Sequence, residues 1–195
     1  MIYKVLQVIT EEVNSYFEGN PVSLENIATV MDSDGSDNQN TATDIVLSLL
    51  NMQEEFAMKN IPNNYTNGTT VEYKNHRVNL NLYVLFSATN SIYIEALKGI
   101  SKIIEFFQGK NVFTQANSNF LREGEMLDVG DFRFSIALYT PTFEELNFIW
   151  GTLGGKQYPS VLYKISLIEL ERNDVIVESG SLITEIDNQL KNIES

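Results

Sequence analysis

The chain has 195 residues, 43% of them hydrophobic, so it is long enough to bury one sizeable core as a single domain. A balance of 26 acidic against 13 basic residues gives a formal net charge of -13. This charge argues against binding to nucleic acid or to an anionic membrane surface, because clustered Lys and Arg are needed to hold phosphate groups. Cysteine is absent, which excludes disulfides, thiolate nucleophiles and cysteine-bound zinc.

The N-terminal residues lack the features of a signal peptide. Acidic residues occur by Glu11, and no continuous apolar stretch precedes a small-residue cleavage site. No apolar run approaches the ~20 residues that a membrane-spanning helix needs. We therefore expect a protein made in the cytoplasm, with no direct membrane insertion.

The first half of the chain predicts one helix and three strands. Apolar residues recur every three to four positions over residues 2–18, the spacing of a helix with one buried face. The strands are predicted at 26–32, 44–55 and 77–89. The third strand has the clearest alternation of apolar and polar residues. The segments 32–43 and 60–69 are rich in Asp, Asn, Thr and Ser, and predict mobile polar loops.

A second helix is predicted over residues 90–110. Asn90 or Ser91 is placed to cap its start, and Gly109 suits the position just past its end. Its apolar residues form a broad stripe expected to pack on the sheet. The members of that stripe are Ile92, Ala96, Leu97, Ile100, Ile103, Ile104 and Phe107.

The remaining elements alternate between strands and one short helix. An edge strand is predicted at 111–115 and an alternating strand at 131–139, with Phe132, Phe134, Ile136 and Leu138 on one side. Thr142 and Glu145 match a capping box. The helix that they open is expected to place Phe143, Leu146, Trp150 and Leu153 on one face. A strand at 160–170 follows, and the segment from Val175 is predicted to pair with it as a hairpin.

This order of elements predicts an α+β (mixed α/β) domain over residues 1–180. We expect a single sheet with two or three helices packed on it, the helices at 2–18 and 91–108 among them. The strands at 44–55, 77–89, 131–139 and 160–170 should form that sheet.

Residues 181–195 form a separate C-terminal amphipathic tail. Ile183, Ile186, Leu190 and Ile193 recur at helical spacing, with polar residues on the other faces. The tail could pack on its own domain, or it could be an arm that docks on a neighbouring subunit. In the second case these four residues bind the partner.

A glycine-rich segment near the single tryptophan invites comparison with a phosphate-binding loop. A P-loop lies between a strand and a helix, with a Ser or Thr directly after its Lys. Here Gly154, Gly155 and Lys156 follow a helix and precede a strand, and the next residue is Gln157. The glycines are better explained as the end of the helix, where a left-handed backbone favours glycine.

Other chemical motifs are equally incomplete. Asp32, Asp34 and Asp37 supply oxygen ligands, but the segment lacks the glycine and glutamate positions of a calcium loop. His76 is the only histidine, and no G-x-S-x-G sequence accompanies it. The adjacent pairs Glu11–Glu12, Glu54–Glu55 and Glu144–Glu145 do not face each other, so we interpret them as solvated charge. The sequence thus indicates no catalytic residue, metal site or cofactor.

Several long blocks together resemble one family. They are "IVLSLLNMQEE" (45–55), "MKNIPN" (58–63), "VNLNLYVLFSAT" (78–89), "IEFFQGKNVFT" (104–114) and "TFEELNFIWGTLGGKQYPSVLYK" (142–164). In content and spacing the chain resembles, over about residues 1–170, the cap or tail-terminator proteins of contractile injection systems. These phage-tail-like particles include the antifeeding prophage and the Photorhabdus virulence cassettes.

The resemblance implies a tail-terminator fold, a homohexameric ring and no catalytic activity. Such a ring sits on the last layer of inner tube and sheath, stops polymerisation and joins tube to sheath, in a particle that is released or anchored. Some relatives carry a longer C-terminal extension, so the strength of the grip on the sheath stays open. Two alternatives to this interpretation remain open. One is a monomeric binding or adaptor module, and the other is an enzyme with a pocket built from scattered residues.

Overall fold

A computed structural model describes residues 2–17, 19, 21–32, 44–56, 64–67, 70–74, 78–127, 129, 131–170 and 175–181. The helices of this part of the chain are α1 (Ile2–Tyr16), α2 (Ile27–Asp32), α3 (Tyr93–Gly109) and α4 (Phe143–Thr152). The strands are β1 (Val22–Leu24), β2 (Ile45–Glu54), β3 (Asn64–Asn67), β4 (Thr70–Lys74), β5 (Val78–Ala88), β6 (Val112–Thr114), β7 (Arg133–Tyr139), β8 (Ser160–Leu170) and β9 (Val175–Ser181).

Six strands form the main sheet, in the order β1-β2-β5-β8-β7-β6. The short strand β1 runs parallel to β2, and the other pairs are antiparallel. The four strands predicted to share one sheet do so, and β6 is the predicted edge strand. The mixed α/β class is likewise confirmed.

Two helices cover each face of this sheet. On one face, α1 and α3 pack on the even-numbered side chains of β5, which include Leu82, Val84 and Phe86. The rings of Phe113 and Phe134 stack there with centroids 5.1 Å apart. On the other face, a smaller cluster joins Ile27 of α2 and Trp150 of α4 to side chains of β2, β5 and β8. Because both faces are covered, even Asn81 on the polar side of β5 is buried, with its amide donating to Glu55 Oε2 at 2.8 Å.

The strand predicted at 26–32 is wrong: residues 27–32 form the helix α2. Asn26 initiates this helix, since its Oδ1 accepts from the Ala28 N–H at 3.1 Å and its carbonyl accepts from the Val30 N–H. Ile27 donates its N–H to Ser48 Oγ at 2.9 Å, which ties the helix to β2. A strand does precede it, but earlier in the chain, as β1. The fold therefore has four α-helices in its described part rather than two or three.

A second, three-stranded sheet has the order β3-β4-β9. The mobile loop predicted at 60–69 is wrong for residues 64–67, which form β3 and pair with β4. The predicted hairpin between β8 and the segment from Val175 is also wrong, because β9 pairs with β4. The polar sequence Asn64–Asn67 gave no sign of a strand, and the partner of β9 lies about a hundred residues earlier in the chain.

The ends of α3 differ from the prediction. Neither Asn90 nor Ser91 is the N-cap: that residue is Ile92, and the Asn90 side chain accepts from the Ile92 N–H at 2.8 Å, one residue before the helix. Gly109 lies inside the last turn, and Lys110 is the C-cap. The predicted cap residues are therefore wrong at both ends, although the helix itself lies where the spacing places it.

Candidate assembly surfaces

The helix α4 is fixed at its start by the predicted capping box. The Thr142 hydroxyl accepts from the Glu145 N–H at 3.2 Å, and the Thr142 N–H donates to Glu145 Oε2 at 2.8 Å. That second bond lowers the pKa of Glu145, so its carboxylate is ionised at neutral pH. The other oxygen accepts from the Tyr139 hydroxyl at 3.2 Å, and the negative charge raises the pKa of Tyr139.

The same helix ends at the glycine pair, as predicted. Gly154 and Gly155 have φ angles of 111° and 80°, in the left-handed region that glycine adopts without strain. The Gly155 N–H donates back to the Trp150 carbonyl at 2.7 Å, which is the six-to-one bond of a Schellman motif. The Gly155 N–H is therefore used to end the helix and is not available to bind a phosphate group.

A groove runs beside α4 on the face of the sheet that Trp150 covers. It encloses about 510 Å³. Its apolar wall is made by Leu50, Phe148, Ile149, Leu153 and Leu162. Phe148 is 63% exposed, so this wall is open to solvent.

The opposite rim of the groove is polar and ordered. The rings of Tyr83 and Tyr139 meet edge to face with centroids 5.3 Å apart. The Tyr83 hydroxyl donates to Gln53 Oε1 at 3.1 Å, and Tyr139 is held by Glu145. The lining contains one carboxylate, that of Glu145, and no Lys or Arg. The groove therefore offers an apolar trough with a fixed, negatively charged edge.

A second apolar surface lies on α3, and we call it the α3 stripe. It consists of Tyr93, Ile94, Leu97 and Ile104, which are 65%, 64%, 43% and 41% exposed. Leu97 lies four residues after Tyr93, three after Ile94 and seven before Ile104, so all four lie on one side of the helix. Two of them were expected to pack on the sheet. The buried side of α3 consists instead of Ala96, Ile100, Ile103, Phe106 and Phe107.

Three other predicted core positions are exposed. Ile92, the N-cap of α3, is 60% exposed. Leu138 on β7 is 56% exposed and Phe143 at the start of α4 is 92% exposed. The β6–β7 ladder ends at the pair Val112 and Ser135, so the edge of β7 beside Leu138 lies beyond that short strand. Phe143 is the first residue of its helix and points away from the cluster around Trp150, which Leu146 and Leu153 join as predicted.

The pair Glu11–Glu12 is not the solvated charge that the sequence suggested. Glu12 is 4% exposed, and its carboxylate accepts from Lys110 Nζ at 2.6 Å and from the Asn119 N–H. Glu11 Oε2 accepts from the Leu121 N–H at 2.6 Å. The two carboxylates hold the loop after β6 against α1, which is a structural role.

Several residues singled out in the sequence lie outside the described part of the chain. These are His76, Asp34, Asp37 and the four tail residues Ile183, Ile186, Leu190 and Ile193. Within the described residues, no group of three or more His, Asp and Glu could hold a metal ion. Among the helices of that same part, none combines the length and apolarity needed to cross a membrane.

Sequence reasoning missed the α3 stripe, although a signal was present. Apolar residues occupy ten of the positions between Ile92 and Phe107, more than one buried face of a helix can hold. That excess should have indicated a second apolar face with a separate purpose. The groove, by contrast, depends on residues of β2, β5 and α4 brought together by folding.

Both the sequence and the fold of this chain have known relatives. The sequence profile of the family described as "Pvc16 N-terminal domain" matches residues 4–182. A comparison with curated proteins gave no match.

Two structures solved by cryo-EM share the fold. The sheath/tube terminator of PVC, an extracellular contractile injection system, in its extended state has a TM-score of 0.61 and 13% identity over 100% of this chain. The tube-terminating cap of the anti-feeding prophage has the same TM-score and identity over 95% of this chain. The chain spans 65% and 60% of the length of those two proteins. With residues 4–182 matched by the family profile, this chain belongs to the Pvc16 N-terminal domain family.

Proposed function

We propose that this protein is the cap, or tail terminator, of a contractile injection system. It forms a ring on the last layer of inner tube and sheath, ends their polymerisation and joins the one to the other. The observation that carries the proposal is the family match over residues 4–182, on a chain whose fold is that of two tube terminators.

The proposed partners are further copies of the same chain and the tube and sheath subunits. The resemblance in the sequence implies a ring of six copies. In such a ring, the surface that each copy presents to its neighbour differs from the surface that it contacts on that neighbour. Its place is a phage-tail-like particle, after synthesis in the cytoplasm. The apolar surfaces on α3 and beside α4 support an assembly role, since the largest apolar patch on a protein is often an interaction site.

We propose no catalytic activity for this protein. The Glu145 carboxylate caps α4 and accepts a hydrogen bond from Tyr139, so it supplies no free acid or base. The glycine segment compared with a phosphate-binding loop ends α4, and the Glu12 carboxylate forms an ion pair with Lys110. Because these polar groups stabilise the fold, they favour a structural protein over an enzyme.

The proposal is tested by removing the gene from a host that makes the particles. Without the terminator we expect tubes and sheaths of variable length, or tubes separated from sheaths, in electron micrographs of purified particles. Complementation with the parent chain should restore one length. Particles of uniform length and intact ends in the deletion strain would contradict the proposal and would favour an adaptor role.

A further inference from the structure

We propose that the α3 stripe of one copy docks in the groove beside α4 of the next copy, and that this contact closes the ring. The occupant of the groove is thus a helix from a second copy of this chain. The inference rests on the ring role proposed above and adds the two surfaces that meet. It requires contacts between unlike surfaces, repeated around the ring.

The positions of the two surfaces favour such a head-to-tail contact. The stripe belongs to a helix on the face of the main sheet that Phe86 occupies, whereas the groove lies on the Trp150 face. A two-fold dimer needs one self-complementary surface, while a ring needs two different surfaces on separate sides of the subunit. A chain with one apolar surface on each side of its sheet has the second arrangement.

The dimensions of the two surfaces agree. From Tyr93 to Ile104 the stripe extends for roughly 16 Å along its helix, at about 1.5 Å per residue. The helix α4 that borders the groove has 10 residues, or roughly 15 Å by the same rise. Two helices of this length can pack side by side at an axial distance of about 8–10 Å. The stripe would then cover Phe148, the most exposed part of the groove wall.

The α3 stripe is a sizeable apolar surface. The exposed fractions of its four residues correspond to an area on the order of 400 Å², within the range of the largest apolar patch on a typical monomer, a patch that is often functional. A helix docked in the groove would also cover Phe148, 63% of which is exposed.

The charges beside the two surfaces are complementary. Lys98 lies one turn after Ile94, at the edge of the stripe, and 63% of its side chain is exposed. Its present partner is Glu95 at 2.7 Å, in an exposed pair of the kind that contributes little and can be exchanged. Among the residues that line the groove in the described part of the chain, Glu145 is the only charged one. Lys98 of one copy can therefore face a carboxylate of the next.

Cysteine cross-linking tests the contact directly, because the chain contains no cysteine of its own. We would place Leu97→Cys and Phe148→Cys on one chain, assemble particles in the host and treat them with a short bis-maleimide. The two positions lie on opposite sides of the sheet, so a cross-link joins different copies. The matched control replaces Leu97→Cys by Leu121→Cys, on the loop after β6, where the leucine is 68% exposed against 43% for Leu97.

The double variant should give a ladder of covalent oligomers that ends at the size of the ring. Leu97→Cys alone should give no dimer, and co-assembly of the two single variants should give dimers with few larger products. A dimer from Leu97→Cys alone would overturn the inference, since the stripe would then face itself. Particles that retain the cap but yield no ladder would overturn the interface and leave the cap role standing. Particles without this protein at their ends would overturn both.

Discussion

At the scale of single residues, exposure depends on more than the alternation of a strand. Ile136 and Leu138 are two positions apart on β7, and the sequence places both on the core side. Ile136 is 3% exposed and Leu138 is 56% exposed. The pair Ile136–Ile165 lies in the middle of the sheet, whereas Leu138 lies beyond the end of the short strand β6. Periodicity predicts which way a side chain points, but not whether anything covers it.

These two residues give a matched test of the core. Replacing Ile136 by Ala should lower the free energy of unfolding by roughly 2–5 kcal/mol, because a buried aliphatic side chain loses its contacts. Replacing Leu138 by Ala should cost under about 1 kcal/mol, as expected for an exposed residue. Urea denaturation of both variants measures the difference. Equal costs would show that the assigned exposure of β7 is wrong.

Tyr163 gives the fold a measurable response to alkaline pH. It packs against Phe86 and Phe107, and burial raises its pKa to about 12. In the unfolded chain a tyrosine ionises near pH ~10. Below that pH the contribution of Tyr163 to stability is complete, and it is lost as the pH rises from about 10 to about 12. The loss amounts to roughly 2–3 kcal/mol at the upper end.

The Tyr163→Phe variant isolates this contribution. Its free energy of unfolding should fall less steeply between pH ~10 and ~12 than that of the parent, because no phenol remains to ionise at this position. Tyr16 and Tyr139 titrate in both proteins, so their effect cancels in the comparison. Denaturant unfolding at several pH values provides the slopes. Parallel slopes would show that the Tyr163 hydroxyl has an ordinary pKa in the folded state.

At the scale of secondary structure, long periodic segments were predictable and short ones were not. The alternation in β5 and the spacing in α1 and α3 identified these elements within two or three residues at each end. The six residues of α2 span less than two turns, so their apolar run fits a strand and a helix equally well. Two hydrogen bonds favour the helix. Asn26 accepts from the Ala28 N–H at the start of α2, and the Ile27 N–H donates to Ser48, which is 21 positions away in the chain.

Pairing between strands was predictable only where an apolar face required it. The strands of the main sheet bury side chains on at least one face, so their pattern survives in the sequence. The partner of β9 is β4, a strand of mixed composition (TVEYK) with no clear apolar face in its sequence. Sequence proximity favoured β8 instead, because most consecutive strands are neighbours. The register of β9 on β4 carries no signal in a single sequence.

The contact of α1 with the end of α3 depends on one buried carboxylate. Glu12 binds Lys110, and the same Lys110 donates to the Asn117 carbonyl at 2.6 Å. Replacing Glu12 by Gln removes the charge that both Lys110 and the Asn119 N–H use. We expect a loss of about 1.5–3 kcal/mol, the range for hydrogen bonds to a charged group. Urea denaturation is the measurement.

The matched control for this variant is Glu95→Gln. Glu95 also pairs with a lysine, at 2.7 Å, but 47% of its side chain is exposed. Exposed pairs contribute about 0–1 kcal/mol, so this variant should unfold close to the parent. Equal losses in the two variants would mean that burial of Glu12 adds nothing to its pairing.

At the scale of the whole molecule, the resemblance read from long sequence blocks is confirmed by the family match. Four of those blocks fall on β2, β5, the end of α3 with β6, and the run from α4 into β8, all of which contribute buried residues to the core. The fifth block, residues 58–63, lies outside the described part of the chain. The surfaces used in assembly could not be derived in this way. Burial follows from one chain, whereas an interface depends on the shape of a second one.

The C-terminal tail, residues 181–195, is predicted to contribute to assembly rather than to the stability of its own domain. A helix as short as the one that this segment would form is marginal alone and needs a surface to lie on. We propose that Ile183, Ile186, Leu190 and Ile193 find that surface on a neighbouring subunit.

Deletion of residues 182–195, which keeps β9 whole, tests the arm. The truncated protein should melt within a few degrees of the parent when it is alone, yet be recovered in fewer particles. Thermal unfolding and quantification of the cap in purified particles are the two measurements. A truncated protein that unfolds or aggregates without partners would show that the tail belongs to its own domain.

The role as a terminator is tested most directly by cryo-EM of the particles at the end away from the baseplate. We predict a closed ring of density on the last layer of tube and sheath, into which the six-stranded sheet and the four helices fit once per subunit. The α3 stripe should face the α4 groove of the adjacent subunit. An intact particle end with no density for this protein, or with this protein bound only at the baseplate, would contradict the account.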